Sequence, residues 1–304
     1  MTDPGEWLPD WCLQHLGGKP ADVLFQQHQI SAVYGFRLTG GREVVVKART
    51  DHGRAAACVA AQAQLADSGF PCARPLTPAI TVGSLAVHAE EFRPGGEVLR
   101  GDSPDIAVRY AEVFAMVMTA LDRVTVEPPV PSPRWARWDH GDPGLWPAID
   151  FLDERDQSVV PGFVVGTAGR ARRRIRAAAL PCVLGHADFE AQNLRWLGST
   201  VWTVHDWDSL AWQPEAALAG AASGTFAGAG PPTLAPIDSS HAFLESYQDI
   251  RGRRFTRAET EVAWAASLWP AAHHARWEAL HGDPPVCGAA LREQATERLR
   301  RAGA

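Results

Sequence analysis

Residues 183–196 read Val183-Leu184-Gly185-His186-Ala187-Asp188-Phe189-Glu190-Ala191-Gln192-Asn193-Leu194-Arg195-Trp196, and a second acidic run, Val204-His205-Asp206-Trp207-Asp208-Ser209, follows shortly. Phosphoryl transfer asks for an Asp that positions an attacking hydroxyl and takes its proton, then an Asn and a further Asp that hold magnesium. Asp188, Asn193 and Asp206 stand in that order, with His186 two residues before the first Asp. Two other triplets in the chain serve as controls. His140-Gly141-Asp142 and His281-Gly282-Asp283 have Pro147 and Gly288 where the Asn belongs. Neither leads into an apolar strand ending in Asp.

The spacing gives the segment a local structure. Cys182-Val183-Leu184 is apolar and leads into a tight loop from about Gly185, with Asp188 and Asn193 at the loop's two ends. Leu194 to Trp196 and Val201 to Val204 predict two short strands around the turn Leu197-Gly198-Ser199, and the second strand delivers Asp206. A hairpin that used Asp and Asn only as turn formers would not need His186, Asp188, Asn193 and Asp206 together.

These residues resemble the aminoglycoside phosphotransferase and choline kinase family, the small-molecule branch of the protein-kinase-like fold. The resemblance implies an α+β chain in two lobes: a small αβ N-lobe with an antiparallel sheet, about residues 1–92, and a larger, mainly helical C-lobe, about 93–304. By position it implies that Asp188 is the catalytic base, that Asn193 and Asp206 are magnesium ligands, and that His186 braces the loop. Asp208 is a weaker candidate for the metal shell, with a solvated turn residue as the plain reading.

A site of this kind also needs a Lys on the third strand to hold the α/β-phosphates. Val33 to Leu38, the turn Thr39-Gly40-Gly41-Arg42 and Glu43-Val44-Val45-Val46-Lys47 form a hairpin signal ending at Lys47. Lys19 and Lys47 are the only lysines among 29 Lys and Arg residues, so a compact ammonium is rare here and one sits where phosphate chemistry asks for it. Lys19 does not belong to a P-loop, because Leu13 replaces the required Gly and Pro20 follows the Lys.

Three features depart from the family pattern. The helix after Lys47, residues 53–66, contains no acidic residue to pair with the Lys; Gln62 and Gln64 are its neutral polar candidates. Orientation of Lys47 then falls to Asp206 or to the phosphates. The loop Gln27-His28-Gln29-Ile30-Ser31-Ala32 is not glycine-rich. Finally, Trp212-Gln213-Pro214-Glu215-Ala216-Ala217 stands where the family often has Gly-Asp-Pro-x-x-Asp, so an Asp that anchors the catalytic loop is missing. Support for that loop must come from elsewhere.

Composition sets the frame. The chain has 304 residues, 46% hydrophobic and 21% charged, enough for a sizeable core. A net charge of −6 argues against a nucleic-acid partner. The run Arg170-Ala171-Arg172-Arg173-Arg174-Ile175-Arg176 reads as a solvated helix face. No stretch has the length of a membrane span, and the first residues lack the features of a secretory signal. Five scattered cysteines form no C-x-x-C, which fits reduced thiols in a cytoplasmic protein.

Punctuation orders the rest. A short helix over 6–16, strands near 21–26, 31–38 and 43–49, a helix over 53–67 and two strands within 77–92 make the first lobe. It closes at Glu90-Glu91-Phe92-Arg93-Pro94-Gly95-Gly96, a hinge pattern in which the resemblance implies that Glu91 and Phe92 meet the adenine edge of ATP. A helix over 103–122, an ordered loop over 127–147, a helical stretch over 150–179 and helices after the catalytic segment complete the chain. The Gly/Ala/Pro stretch 220–236 interrupts them. The last long helix is expected over 257–281, kinked at Pro270, with Trp269, His273 and Trp277 on one face. That stripe reads as core or as a wall of the acceptor pocket.

The expected activity is transfer of the γ-phosphate of ATP, with magnesium, to a hydroxyl of a small molecule such as an aminoglycoside-like antibiotic, an amino alcohol or a sugar. Glu190, two residues past Asp188, would favour a cationic group on that acceptor. The alternatives are a nucleotide-binding module without transfer, a protein kinase and a magnesium-dependent hydrolase. Glu190 in place of a Lys and the lack of Asp-Phe-Gly and Ala-Pro-Glu stretches argue against the protein kinase. Lys47 on a strand argues against the hydrolase.

Overall fold

The computed structural model describes residues 4–28, 31–126 and 130–304; of the loop 27–32, Gln29 and Ile30 lie outside the described residues. The chain divides into two compact units. The first comprises Met1–Gly96, Val124–Pro128 and Trp202–Asp208, and the second comprises Glu97–Arg123, Pro129–Val201 and Ser209–Ala304.

The first unit runs α1 (Pro4–Leu16), β1 (Pro20–His28), β2 (Ala32–Leu38), β3 (Glu43–Thr50), α2 (Ala55–Asp67), β4 (Ile80–Val82) and β5 (Leu85–Glu91). The strands form an antiparallel sheet in the order β1-β2-β3-β5-β4. Alternation along β3 divides its side chains between two faces. Val44 and Val46 join Tyr34, Phe36, Val87 and Ala89 in a core closed by Leu8, Trp11 and Cys12 of α1. Val45 and Lys47 point to the other face, where α2 lies: Gln62 of α2 bonds to Glu90 of β5.

The second unit contains α3 (Pro104–Leu121), α4 (Asp150–Asp153), α5 (Gly162–Ala177), β6 (Cys182–His186), β7 (Leu194–Leu197), the start of β8 (Thr200–Val204), β9 (Leu210–Pro214), α6 (Glu215–Thr225), α7 (Ile237–Arg251), α8 (Arg257–Ala266), α9 (Leu268–His281) and α10 (Val286–Arg301). Within it α3 packs along α7, α6 crosses α8, and α9 runs against α5 and α10. Among the described residues no helix is long and apolar enough to cross a membrane.

Several expected elements take a different form. The stretch over 150–179 is α4, a 3-10 turn at Gln157–Val159 and α5, because Pro161 starts a new helix instead of continuing one. The helix expected over 257–281 is two helices meeting at Ser267. Pro270 has no N–H to give the Ala266 carbonyl, so the hydrogen-bond ladder is interrupted there. A further helix, α10, follows, so α9 is not the last long one.

The Gly/Ala stretch also continues as helix, to Thr225. Gly220 and Gly224 are the points at which α6 meets α8. A Cβ on Gly220 would lie 2.1 Å from the Ala263 carbonyl oxygen, and one on Gly224 would lie 2.7 Å from that of Ser267.

The basic run of α5 keeps Arg170, Arg173 and Arg176 exposed, while Arg172 and Arg174 are half-buried and braced against the rest of the unit. Arg172 donates to the carbonyls of Trp138, His140 and Gly144, bracing the loop before it. Arg174 pairs with Glu261 and donates to the Ala302 carbonyl, and Arg170 donates to the C-terminal Ala304. Arginine suits this work because its planar fork reaches several acceptors at once.

Candidate active site

In the second unit β6 pairs antiparallel with β9, from Cys182↔Pro214 to His186↔Leu210. Gly185 is required by packing, since a Cβ there would lie 2.4 Å from Leu218 and 3.1 Å from Met118. The strand therefore passes close under α3 and α6 and carries the fully buried His186 to its end. His186 Nδ1 accepts the backbone N–H of Asp188 at 3.3 Å, which fixes that nitrogen as an acceptor and holds the loop at the Asp. Phe189 is an apolar anchor, its ring 4.9 Å from Phe114 and 6.2 Å from Tyr110.

The loop closes on itself. Glu190 donates its N–H to the Asp188 carbonyl at 3.1 Å, and a 3-10 turn at Ala191–Asn193 follows. The Asn193 side-chain amide donates to the Asp188 carbonyl at 2.9 Å and to Asp188 Oδ2 at 3.1 Å. Neither bond uses the Asn193 amide oxygen. Asp188 itself is half-buried. The anchoring left open by the altered 212–217 segment comes from two backbone bonds. Ala187 donates to the Ser209 carbonyl and Gln192 to the Gly228 carbonyl, each at 2.9 Å.

Glu190 is buried at 5% exposure, so it is not a solvated loop residue. Its Oε2 accepts Gln192 Nε2 at 2.8 Å, and Gly228 passes so near that a Cβ there would lie 3.0 Å from Oε2. Its charge reaches the start of α10: burial first, then Glu278 and Glu190, push the Cys287 thiol well up.

In the first unit, Lys47 is opposite His88 in the β3–β5 register. Its Nζ lies 3.0 Å from Glu90 Oε1, with both side chains buried. Glu90 Oε2 accepts Gln62 Nε2 at 2.9 Å, and Gln62 also donates to the Ala73 carbonyl at 2.8 Å. His88 Nε2 is 3.9 Å from Glu90 Oε2, beyond hydrogen-bond reach. Burial alone would raise the Glu90 carboxyl; the Lys47 ammonium, His88 and the Gln62 amide outweigh it and hold Glu90 ionised. The acid that α2 lacks is thus present on β5. Reading the sequence missed it, because Glu90 meets Lys47 only once the strand register is known. The signal was the doublet Glu90-Glu91, of which one side chain must face inward.

Glu91 ends the same strand, and Phe92 follows it. Glu91 donates its backbone N–H to the Arg74 carbonyl at 2.9 Å, so that donor is already engaged. The Phe92 ring lies 6.0 Å from Phe25 of β1, and Phe25 in turn covers Gly35, where a Cβ would be 2.2 Å from its ring.

Asp206 has φ +59, in the left-handed region that Asp tolerates better than most residues. Its neighbours hold that turn. Trp207 is buried against Phe70, and its indole N–H donates to the Val204 carbonyl at 3.0 Å. Asp208 forms a largely buried ion pair with Arg49, and its carbonyl accepts Arg54 Nη2 at 2.7 Å. Asp208 is therefore an anchor of the turn, and Arg49 and Arg54 are parts of it that the sequence did not reveal. Burial lowers both guanidiniums, and Asp206 is among the charges acting to raise them.

Among the described residues no group of three or more His, Cys, Asp and Glu side chains could hold a metal by themselves. Magnesium at a phosphate site needs less: one or two carboxylate or amide oxygens, completed by the phosphates and water. Asp206 and Asn193 are oxygen donors of that kind.

The stripe on α9 is mostly core. Trp269 and His273 are buried, while Trp277 is half-buried. Trp146 packs on the first two, 5.6 Å from Trp269 and 6.2 Å from His273.

No family model and no curated protein matches the sequence. Solved structures do match, over nearly the whole chain. One is an amicoumacin kinase, hAmiN, in complex with AMP-PNP, Ca2+ and Ami: 13% identity, 98% of this chain and 94% of that one, TM-score 0.67. Another is a thermostable mutant of the aminoglycoside phosphotransferase APH(4)-Ia in ternary complex with ADP and hygromycin B: 15% identity, 98% and 99% coverage, TM-score 0.57. A third is the spectinomycin phosphotransferase APH(9)-Ia with ADP and spectinomycin: 12% identity, 98% and 93% coverage, TM-score 0.55. The chain shares the kinase-like α+β fold of these phosphotransferases, with its antiparallel-sheet unit and its helical unit.

Proposed function

We propose that the chain is an ATP-dependent phosphotransferase that moves the γ-phosphate to a hydroxyl of a small molecule. The observation that carries this reading is the Asp188 loop. A half-buried carboxylate is held by Asn193, on a backbone braced by His186, at the spacing phosphoryl transfer requires. The similar structures hold AMP-PNP or ADP together with Ami, hygromycin B or spectinomycin, which supports the same class of donor and acceptor here.

In this reading Asp188 orients the acceptor hydroxyl and takes its proton as the new O–P bond forms and the bond to the ADP leaving group breaks. Lys47 binds the α/β-phosphates, and Phe92 with the Glu91 carbonyl meets the adenine edge. Magnesium, when bound, neutralises charge on the phosphates; Asp206 and Asn193 are the residues that would hold it. Glu190 holds a buried negative charge two residues from the base. This favours an acceptor with an amine near its reacting hydroxyl, such as an aminoglycoside-like antibiotic or an amino alcohol, over a neutral sugar. All five cysteines are free thiols, which supports a reducing, cytoplasmic location.

A module that holds nucleotide without transferring phosphate is the nearest rival, because α2 lacks an acid and the 212–217 segment lacks the anchoring Asp. The Lys47–Glu90 pair weighs against the first ground, and the backbone bonds of Ala187 and Gln192 weigh against the second. The test is a panel of hydroxylated compounds, with and without amines, followed by ADP release and the mass of the product. Acceptor-dependent ADP release with a phosphorylated product supports the proposal. Magnesium-dependent ATP binding with no acceptor-dependent release across the panel would favour the rival.

A further inference from the structure

Lys47 and Glu90 lie on adjacent strands of one sheet. In the β3–β5 register Lys47 faces His88 and Val45 faces Glu90, so Glu90 is the diagonal neighbour of Lys47 on the same face. Long side chains bridge such a diagonal readily. Gln62, on α2, reaches the same carboxylate from the helix side and is itself tied to the Ala73 carbonyl.

We propose that Glu90 is the positioning residue for Lys47: the carboxylate that kinase-like sites place on the helix has moved to strand β5, and Gln62 holds it from the helix. This rests on the phosphotransferase reading above. It has a regulatory consequence. Where the acid sits on the helix, movement of that helix makes or breaks the ion pair and so controls activity. Here both partners belong to one hydrogen-bonded sheet, so the pair stays formed whatever the position of α2. Lys47 is aligned before ATP arrives.

The experiment compares wild type with Glu90→Gln, Gln62→Glu and the double variant, which returns the carboxylate to the helix. Melting temperature, ATP affinity and turnover with the best acceptor are read for each. A misaligned phosphate-binding group costs about 100-fold in rate, so Glu90→Gln should lose about that much turnover. The double variant should recover most of it. Glu90→Asp keeps the charge and shortens its reach by one methylene; it serves if Glu90→Gln does not fold, and should show a smaller loss of the same kind.

Because the chain has only two lysines, lysine-selective NMR reads the Lys47 signal directly. In wild type it should shift when magnesium-ATP is added, and Glu90→Gln should move it in the absence of nucleotide. A Lys47 signal unmoved by ATP in wild type would sink the phosphotransferase reading itself. A signal that responds to ATP, with turnover of Glu90→Gln within twofold of wild type, would overturn the role of Glu90 alone. So would a large loss, in a folded Glu90→Gln protein, that the double variant fails to recover.

Discussion

The side chain of Asn193 donates to Asp188 twice, to its carbonyl at 2.9 Å and to its carboxylate at 3.1 Å. One residue thus sets the direction of the Asp188 carboxylate and leaves its own amide oxygen out of both bonds. Asn193→Ala should therefore lower turnover and weaken, without abolishing, the gain in ATP affinity that magnesium brings. Asp206→Ala should abolish that gain, since it removes a full charge and not a neutral oxygen. ATP titrations with and without magnesium check both. An Asp206→Ala protein whose ATP affinity still rose with magnesium would contradict the proposal that Asp206 holds the metal.

Asp208 is predicted to act on stability. Its carboxylate pairs with Arg49 and its carbonyl with Arg54. Breaking a buried pair by neutralising one partner costs on the order of 3 kcal/mol. Asp208→Asn should show this in denaturant unfolding while the magnesium dependence of ATP binding stays as in wild type. A changed magnesium dependence with unchanged stability would instead return Asp208 to the metal shell.

The crossing of α6 and α8 should tolerate no side chain at Gly220. A Cβ there would sit 2.1 Å from the Ala263 carbonyl oxygen, so Gly220→Ala must push two backbones apart. Overpacking of a tight core costs roughly 1–3 kcal/mol, and more where backbone must move. Gly228→Ala meets the end of the Glu190 side chain at 3.0 Å and should cost less. Equal melting temperatures for Gly220→Ala and wild type would contradict the crossing.

Burial holds His273 neutral in the folded chain, lowered from its usual range to about 3, with His274 and Arg276 adding to the effect. Unfolded, it binds a proton below about pH 6.5. Between these values the unfolded state carries more protons than the folded one, so stability falls as pH drops through this window. One such group contributes up to about 1.4 kcal/mol per pH unit. His273→Gln should flatten the pH dependence of unfolding between about pH 6 and 4. An unchanged slope would show that His273 does not titrate differently in the two states.

Much of this was legible because it is local. His186, Asp188, Asn193 and the hairpin to Asp206 sit within 21 consecutive residues, and short-range turn and strand signals place them. The strands around Lys47 were equally plain from their β-branched run and the Gly40-Gly41 turn. What escaped depends on partners far away in sequence. Glu90 pairs with Lys47 only through strand register. Arg49 and Arg54 meet a residue more than 150 positions away. The glycines of α6 looked like a break because their partner, the α8 backbone, cannot be seen from the helix alone. Arg172 looked solvated because its acceptors are carbonyls, which sequence patterns do not mark.

Asp188 is proposed as the base of an ATP-dependent transfer to a small-molecule hydroxyl. The most direct test is Asp188→Asn, measured for both magnesium-ATP affinity and phosphoryl transfer to the best acceptor. Loss of a general base typically costs about 10²–10⁴-fold. A loss of this size in transfer, with ATP affinity close to wild type, is the expected result. Transfer by Asp188→Asn at near wild-type rate would contradict it.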